Sequence, residues 1–305
     1  MKEKILSLFL FSLLFVGCLQ KPTKIKEDTA PQASTKALEG VSKTQADEMA
    51  FIEANPDQYI FIDARSTFDF ELSHYPQAIS IRYEDFSQKE EPFNGLLEKD
   101  LYFHARRLAR MGIGPASKLI IVGKGQQGEG DEFRLAWILQ YMGLKNILVA
   151  HVDQFVFKQN SFSVTVPAPL PIWEPAFDES MIAEYKEVLN IVTLRQKAVL
   201  IDARSESEYL GKVKSSQWST HLPEIEAINI PWTQFITGKN EFDISLKERI
   251  KTLGIGPDDR IVTISNRGVR SSVAALALRK MGFKNVGNFT GGYTQLISLS
   301  GKIRR

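Results

Sequence analysis

From residue 59 onward, short apolar runs rich in β-branched residues alternate with stretches patterned for helices. YIFID (59–63), AISI (78–81), KLIIV (118–122) and NILVA (146–150) read as strands, and 101–111 and 133–142 as helices. This alternation predicts a mainly parallel sheet flanked by helices on both faces. Farther along, IVTISNRGVRSS (261–272) reads as a buried strand at 261–264 and a tight loop at 265–270, followed by a helix through AALALRKMGF. A loop in that place points backbone N–H groups and the positive end of a helix at whatever it holds. Ligands of open α/β sheets bind outside the strand C-termini, where this loop lies.

The pattern occurs twice. IFIDARS (60–66) returns as VLIDARS (199–205), GIGPASKLIIV (112–122) as GIGPDDRIVTI (254–264), and MGLKNI (142–147) as MGFKNV (281–286). The offsets are 139, 142 and 139 residues, so the copies run in register with small local insertions. The unit is one domain of about 120–130 residues, duplicated. The boundaries read as a first domain at 43–160, a Pro-rich linker at 161–177 and a second domain at 178–305.

The N-terminus has a different character. Lysines at 2 and 4, an apolar run over 5–16 and Gly17-Cys18 read as an exported signal, too short for a convincing membrane span. Residues 18–42 are polar and read as a disordered tether. The 305 residues carry a formal charge of +2 and no basic block with interleaved aromatics, so no nucleic-acid partner is expected. The chain has one cysteine, Cys18, and therefore no disulfide framework. None of its four histidines has metal-ligand spacing to another His or Cys, and neither a metal nor a cofactor is expected.

Two resemblances follow from these residues. The small residue before Cys18 resembles the lipobox of bacterial lipoproteins. That implies cleavage after residue 17, a lipid-modified Cys18, and attachment to the bacterial cell envelope facing the periplasm or cell exterior. IDARSESEYLG (201–211), His221-Leu222-Pro223, the strand entering a six-residue loop, and MGFKNVGNFTGGY (281–293) together resemble the rhodanese-like sulfurtransferases. The resemblance spans about 43–158 and 178–300. It implies two rhodanese-like domains, each a mainly parallel sheet with helices on both faces. It also implies a structural role for Asp63 and Arg65 in the first copy and for Asp202 and Arg204 in the second; His74 and His221, which recur at the matching turn of each copy, read as structural residues as well.

Active relatives carry a cysteine at the first loop position, which takes a sulfur atom from a donor such as thiosulfate and holds it as a persulfide. Here Ser265 falls at that position, followed by Asn266, Arg267, Gly268, Val269 and Arg270, with Gly268 and Arg270 on the family's glycine and terminal arginine. The first copy aligns Gly123 there, ahead of a loop three residues longer. Persulfide chemistry needs a thiolate nucleophile and a durable S–S bond, and a serine hydroxyl supplies neither. A serine hydrolase would need a positioned histidine and acid, and no G-x-S-x-G elbow surrounds Ser265. The expectation is a membrane-tethered protein without sulfur transfer. Its second loop would bind a small oxyanion such as thiosulfate or sulfate, or its surface would bind a protein partner. The alternative that the fold alone suggests is a thiosulfate or mercaptopyruvate sulfurtransferase.

Overall fold

The computed structural model describes residues 50–155, 167–213 and 225–303. The signal at 1–17, Cys18, the tether at 18–42 and His221 lie outside these residues. Every element named below belongs to the compact unit Ile52–Arg305.

The first repeat runs β1 (Ile60–Asp63), α1 (Thr67–Leu72), β2 (Ile79–Ser80), α2 (Leu101–Arg110), β3 (Leu119–Gly123), α3 (Asp131–Tyr141) and β4 (Ile147–His151). The second runs α4 (Tyr185–Val192), β5 (Val199–Asp202), α5 (Glu206–Tyr209), β6 (Ile228–Asn229), α6 (Leu246–Thr252), β7 (Arg260–Ile264), α7 (Val269–Lys280), β8 (Asn285–Asn288) and α8 (Gly292–Ile303). The sheet orders are β2-β1-β3-β4 and β6-β5-β7-β8, all neighbours parallel. Ile60 pairs with Leu119 in the first and Val199 with Ile261 in the second, the register that the sequence repeat requires. The central strands are apolar along nearly their whole length because both faces are covered.

In each sheet the chain steps from β1 (or β5) to one side and later returns to the other. The switch point lies between β1 and β3, and between β5 and β7. The loops after those strands therefore face each other across a crevice. Helix α3 packs against α7 across the repeat boundary, and one apolar core runs through both repeats from Ile62 to Val286. A second core, including Val188, Val262 and Phe289, covers the other face of the second sheet. This explains why α7 is buried nearly all round, Ser271 and Ser272 included. It is sandwiched between its own sheet and the first repeat.

The described part of the Pro-rich linker is an extended strap held to the first repeat. The Leu170 N–H donates to the Ala109 carbonyl at 2.8 Å, Ala176 to Met142 at 3.1 Å, and the Trp173 indole N–H to Ile113 at 2.9 Å.

Candidate functional site

The two Asp-Ala-Arg turns are close copies. Asp202 accepts the Arg204 backbone N–H at 2.9 Å, its Nε at 3.0 Å, and its Nη2 at 2.6 Å. Tyr293 donates its hydroxyl to the same carboxylate at 2.9 Å, and its ring lies 4.0 Å from the guanidinium centre. Burial pushes the Tyr293 phenol well above its ordinary range, helped by the Asp202 charge. In the first copy Asp63 holds Arg65 the same way, and Arg65 also donates to the Ser73 carbonyl at 2.7 Å. His74 is buried, stacked on the Phe70 ring, with Nδ1 2.8 Å from the Phe70 carbonyl. These groups fix the turns that lead into α1 and α5.

The second-copy loop starts at Ser265, which is 1% exposed. Its Oγ accepts the Ser271 N–H at 3.2 Å and sits 3.1 Å from the Ser271 Oγ. Ser271 in turn donates to the Asn288 side-chain oxygen at 2.7 Å, and the Asn288 amide donates to the Gly268 carbonyl at 2.9 Å. The serine is pinned in this inward chain, and no histidine among the described residues is bonded to it. A serine hydroxyl needs such a base to act as a nucleophile.

Arg270 spans the crevice floor. It donates to both Glu208 oxygens, at 2.7 and 2.9 Å, while its Nε lies 3.6 Å from Glu129. Glu208 is oriented by α5, where Ser205 and Glu208 cap each other. The loop's terminal arginine is therefore committed to carboxylates. Arg267 is exposed and makes no hydrogen bond or ion pair among the described residues. The backbone N–H groups of Arg267, Gly268 and Val269 likewise have no acceptor among them. Three consecutive unclaimed N–H groups at the start of a 12-residue helix have the backbone geometry that suits an anion.

The first copy shows what such a loop becomes when it is filled. Gly130 and Gly268 are matching left-handed helix N-caps, so Glu132 falls where Arg270 does. The Glu132 side chain folds back onto the loop, accepting the Gly125 N–H at 2.9 Å and the Asn240 side-chain amide of the second repeat at 2.9 Å. A Cβ on Gly123 would lie 2.2 Å from its Oε2, so a side chain at the position aligned with Ser265 would have to displace Glu132. Burial raises the Glu132 carboxyl to about 7.

Residues of the first repeat also shape the second-copy loop, and sequence reasoning missed them. Arg134 is completely buried, donating to the Gly95 carbonyl at 2.9 Å and reaching the Gly268 carbonyl at 3.5 Å. Gly95 presses on the loop so closely that a Cβ there would lie 2.5 Å from the Arg267 carbonyl oxygen and 2.6 Å from that of Thr290. Both obstacles are backbone. Gly95→Ala is expected to cost about 1–3 kcal/mol and to speed amide hydrogen exchange at Ser271 and Thr294, whose N–H groups are bonded to the second-copy loop. Unchanged melting and exchange would contradict that contact.

A cleft of about 730 Å³ opens over this loop, walled by both repeats. The second repeat contributes Glu208, Arg267 and Arg270, and the first contributes Glu91, Glu129 and Asp131. Burial raises the Asp131 carboxyl to about 6, and repulsion from Glu84 and Glu129 adds to the effect. Among the described residues no group of three or more His, Cys, Asp or Glu could hold a metal ion, and no helix is long and apolar enough to cross a membrane.

Two in-register α/β repeats, each with a loop poised at the C-terminal switch point of a parallel sheet, define the class. The Rhodanese family, described as a rhodanese-like domain, matches residues 184–298. A Schizosaccharomyces pombe protein provisionally named as a mitochondrial thiosulfate sulfurtransferase is 30% identical over 122 residues, 37% of this chain and 75% of that protein. A thiosulfate sulfurtransferase of Pseudomonas aeruginosa is 23% identical over 244 residues, 78% of this chain and 88% of the relative. The crystal structure of a 3-mercaptopyruvate sulfotransferase from Escherichia coli superposes with a TM-score of 0.64 at 20% identity, covering 80% of this chain and 97% of that one. The chain belongs to the rhodanese-like family.

Proposed function

We propose that this protein is a membrane-anchored, rhodanese-like binding protein that does not carry sulfur as a persulfide. It holds a small oxyanion group in the nest of the second-copy loop. The observation that carries this reading is the contrast between the two loops. The first is filled by its own Glu132 carboxylate, whereas the second leaves the N–H groups of Arg267, Gly268 and Val269 unclaimed beside an open cleft. The names of the relatives favour sulfur transfer. Against that stands the composition: Cys18 is the only cysteine, and both sheets end in loops without one. Ser265 and Gly123 occupy the positions where the family places its sulfur carrier.

Sulfate or thiosulfate is expected to raise the melting temperature, since a ligand at 100 times its dissociation constant stabilises by about 2.7 kcal/mol. Arg267→Gln should weaken that effect. No shift at high anion concentration would overturn the anion reading and leave the surface as a docking site for a protein partner. The anchoring half of the proposal rests on Gly17-Cys18 after the apolar run at 5–16. Cys18→Ala should move the protein from the membrane to the soluble fraction of the envelope; retention on the membrane would contradict a lipid on Cys18.

A further inference from the structure

The charges of the cleft offer more than an oxyanion alone would use. Four carboxylates line it, Glu91, Glu129, Asp131 and Glu208, against two guanidiniums, Arg267 and Arg270. Most of these are already spoken for. Arg270 is held by Glu208 and approached by Glu129, and Glu91 accepts from the Asn94 side chain at 2.7 Å. Two charged side chains remain with no hydrogen-bond or ion-pair partner among the described residues, Arg267 and Asp131. They come one from each repeat, and they do not pair with each other. Arg267 eases the Asp131 charge only at a distance. A cleft with one unmatched cation on the loop of one repeat and one unmatched carboxylate from the other is complementary to a molecule bearing both signs.

We propose that the ligand of this cleft is a small zwitterion whose anionic end lies on the 267–269 nest and Arg267, and whose ammonium end lies on Asp131. The inference rests on the reading of the second-copy loop as an anion site and adds the second pole. An ammonium group at Asp131 would supply the missing counter-charge and replace lost hydration with a charge-assisted hydrogen bond. A molecule with only the anionic end would leave Asp131 half-buried without a partner and would meet repulsion from the other carboxylates. The cleft volume accommodates a chain of several carbons between the two ends.

The test uses the full-length chain in detergent and matched probes that differ by one amine. Glycine is compared with acetate, 4-aminobutanoate with butanoate, and 6-aminohexanoate with hexanoate, each by calorimetric titration at pH 7.5. At the length that best matches the separation of the poles, the amino acid is expected to bind about tenfold or more tightly than its amine-free partner. Asp131→Asn should abolish that advantage while leaving the amine-free acid bound as before or better. Arg267→Gln should weaken both members of the pair. Neither side chain is bonded to the fold, so both variants should melt near the wild type, which the same samples report. Equal affinities within every pair would overturn the zwitterion proposal while the anion site stands. So would an amine advantage that survives in Asp131→Asn. Failure of every acid and amino acid to bind would overturn the anion reading itself, and the second pole with it.

Discussion

Asp202→Ala is expected to destabilise the protein by about 3–5 kcal/mol, because it strands a buried guanidinium. Asp202 accepts three N–H groups of Arg204 and the Tyr293 hydroxyl, and the Arg204 side chain is only 2% exposed. With the carboxylate gone, the guanidinium would keep, among the described residues, the Tyr293 ring and the charge of Glu208 but lose the carboxylate that binds it directly. The equivalent first-copy change, Asp63→Ala, should cost less. The Arg65 side chain is 9% exposed and keeps the Ser73 carbonyl as an acceptor. Replacing both members of the second pair, as Asp202→Leu with Arg204→Met, should recover much of the loss, since two apolar groups leave no stranded charge. Urea denaturation of the three variants beside the wild type checks the order. Equal losses at Asp63 and Asp202, or no recovery in the double variant, would show that the pair does not hold the turn in the way the geometry indicates.

The second large effect is a pH dependence centred on Glu132. Its carboxyl is raised from 4.5 to about 7 by burial against the first-copy loop, despite donors from Gly125 and Asn240. The folded state therefore holds this proton at pH values where the unfolded chain has lost it. The resulting stabilisation is fully present below about pH 4.5 and is lost as pH rises through about 7. The loss is on the order of 3 kcal/mol. Glu132→Gln keeps an oxygen for Gly125 and Asn240 but cannot ionise. Its stability relative to the wild type should thus increase steadily between those pH values and level off above them. Asp131 shifts with the same sign, and taking the difference between the two proteins removes its contribution. A difference that stays flat with pH, or falls as pH rises, would contradict a buried Glu132 in the first loop.

The repeats, the strands and the second-copy loop were legible because each is written locally. β-branched runs mark the strands, and recurring Asp-Ala-Arg and Met-Gly segments mark the register. Helix α3 begins at Asp131, two residues before the apolar pattern suggests, because Asp131 and Glu132 look like loop residues until their place in the first helical turn is seen. The reading at 78–81 shrinks to the two residues Ile79–Ser80, since only those pair with β1. What lies beyond sequence is the meeting of distant segments. Gly95 and Arg134 come from the first copy to brace the second loop, and Asn240 comes from the second to close the first. One signal was available for part of this. Matching the two loops at Gly130 and Gly268 exposes a change from arginine to glutamate at Glu132, which marks a loop occupied by its own carboxyl group. The acidic wall of the cleft had no such signal. Asp131 and Arg267 are far apart in the chain, and only the packing of α3 against α7 brings their walls together.

The most direct test of the central claim is a thiosulfate-to-cyanide transfer assay on the full-length chain, with mass spectrometry of the peptide containing Ser265 after exposure to thiosulfate. The account predicts no thiocyanate above background and an unmodified peptide. Thiocyanate turnover that disappears in Ser265→Ala, or a peptide heavier by one sulfur atom, would contradict it.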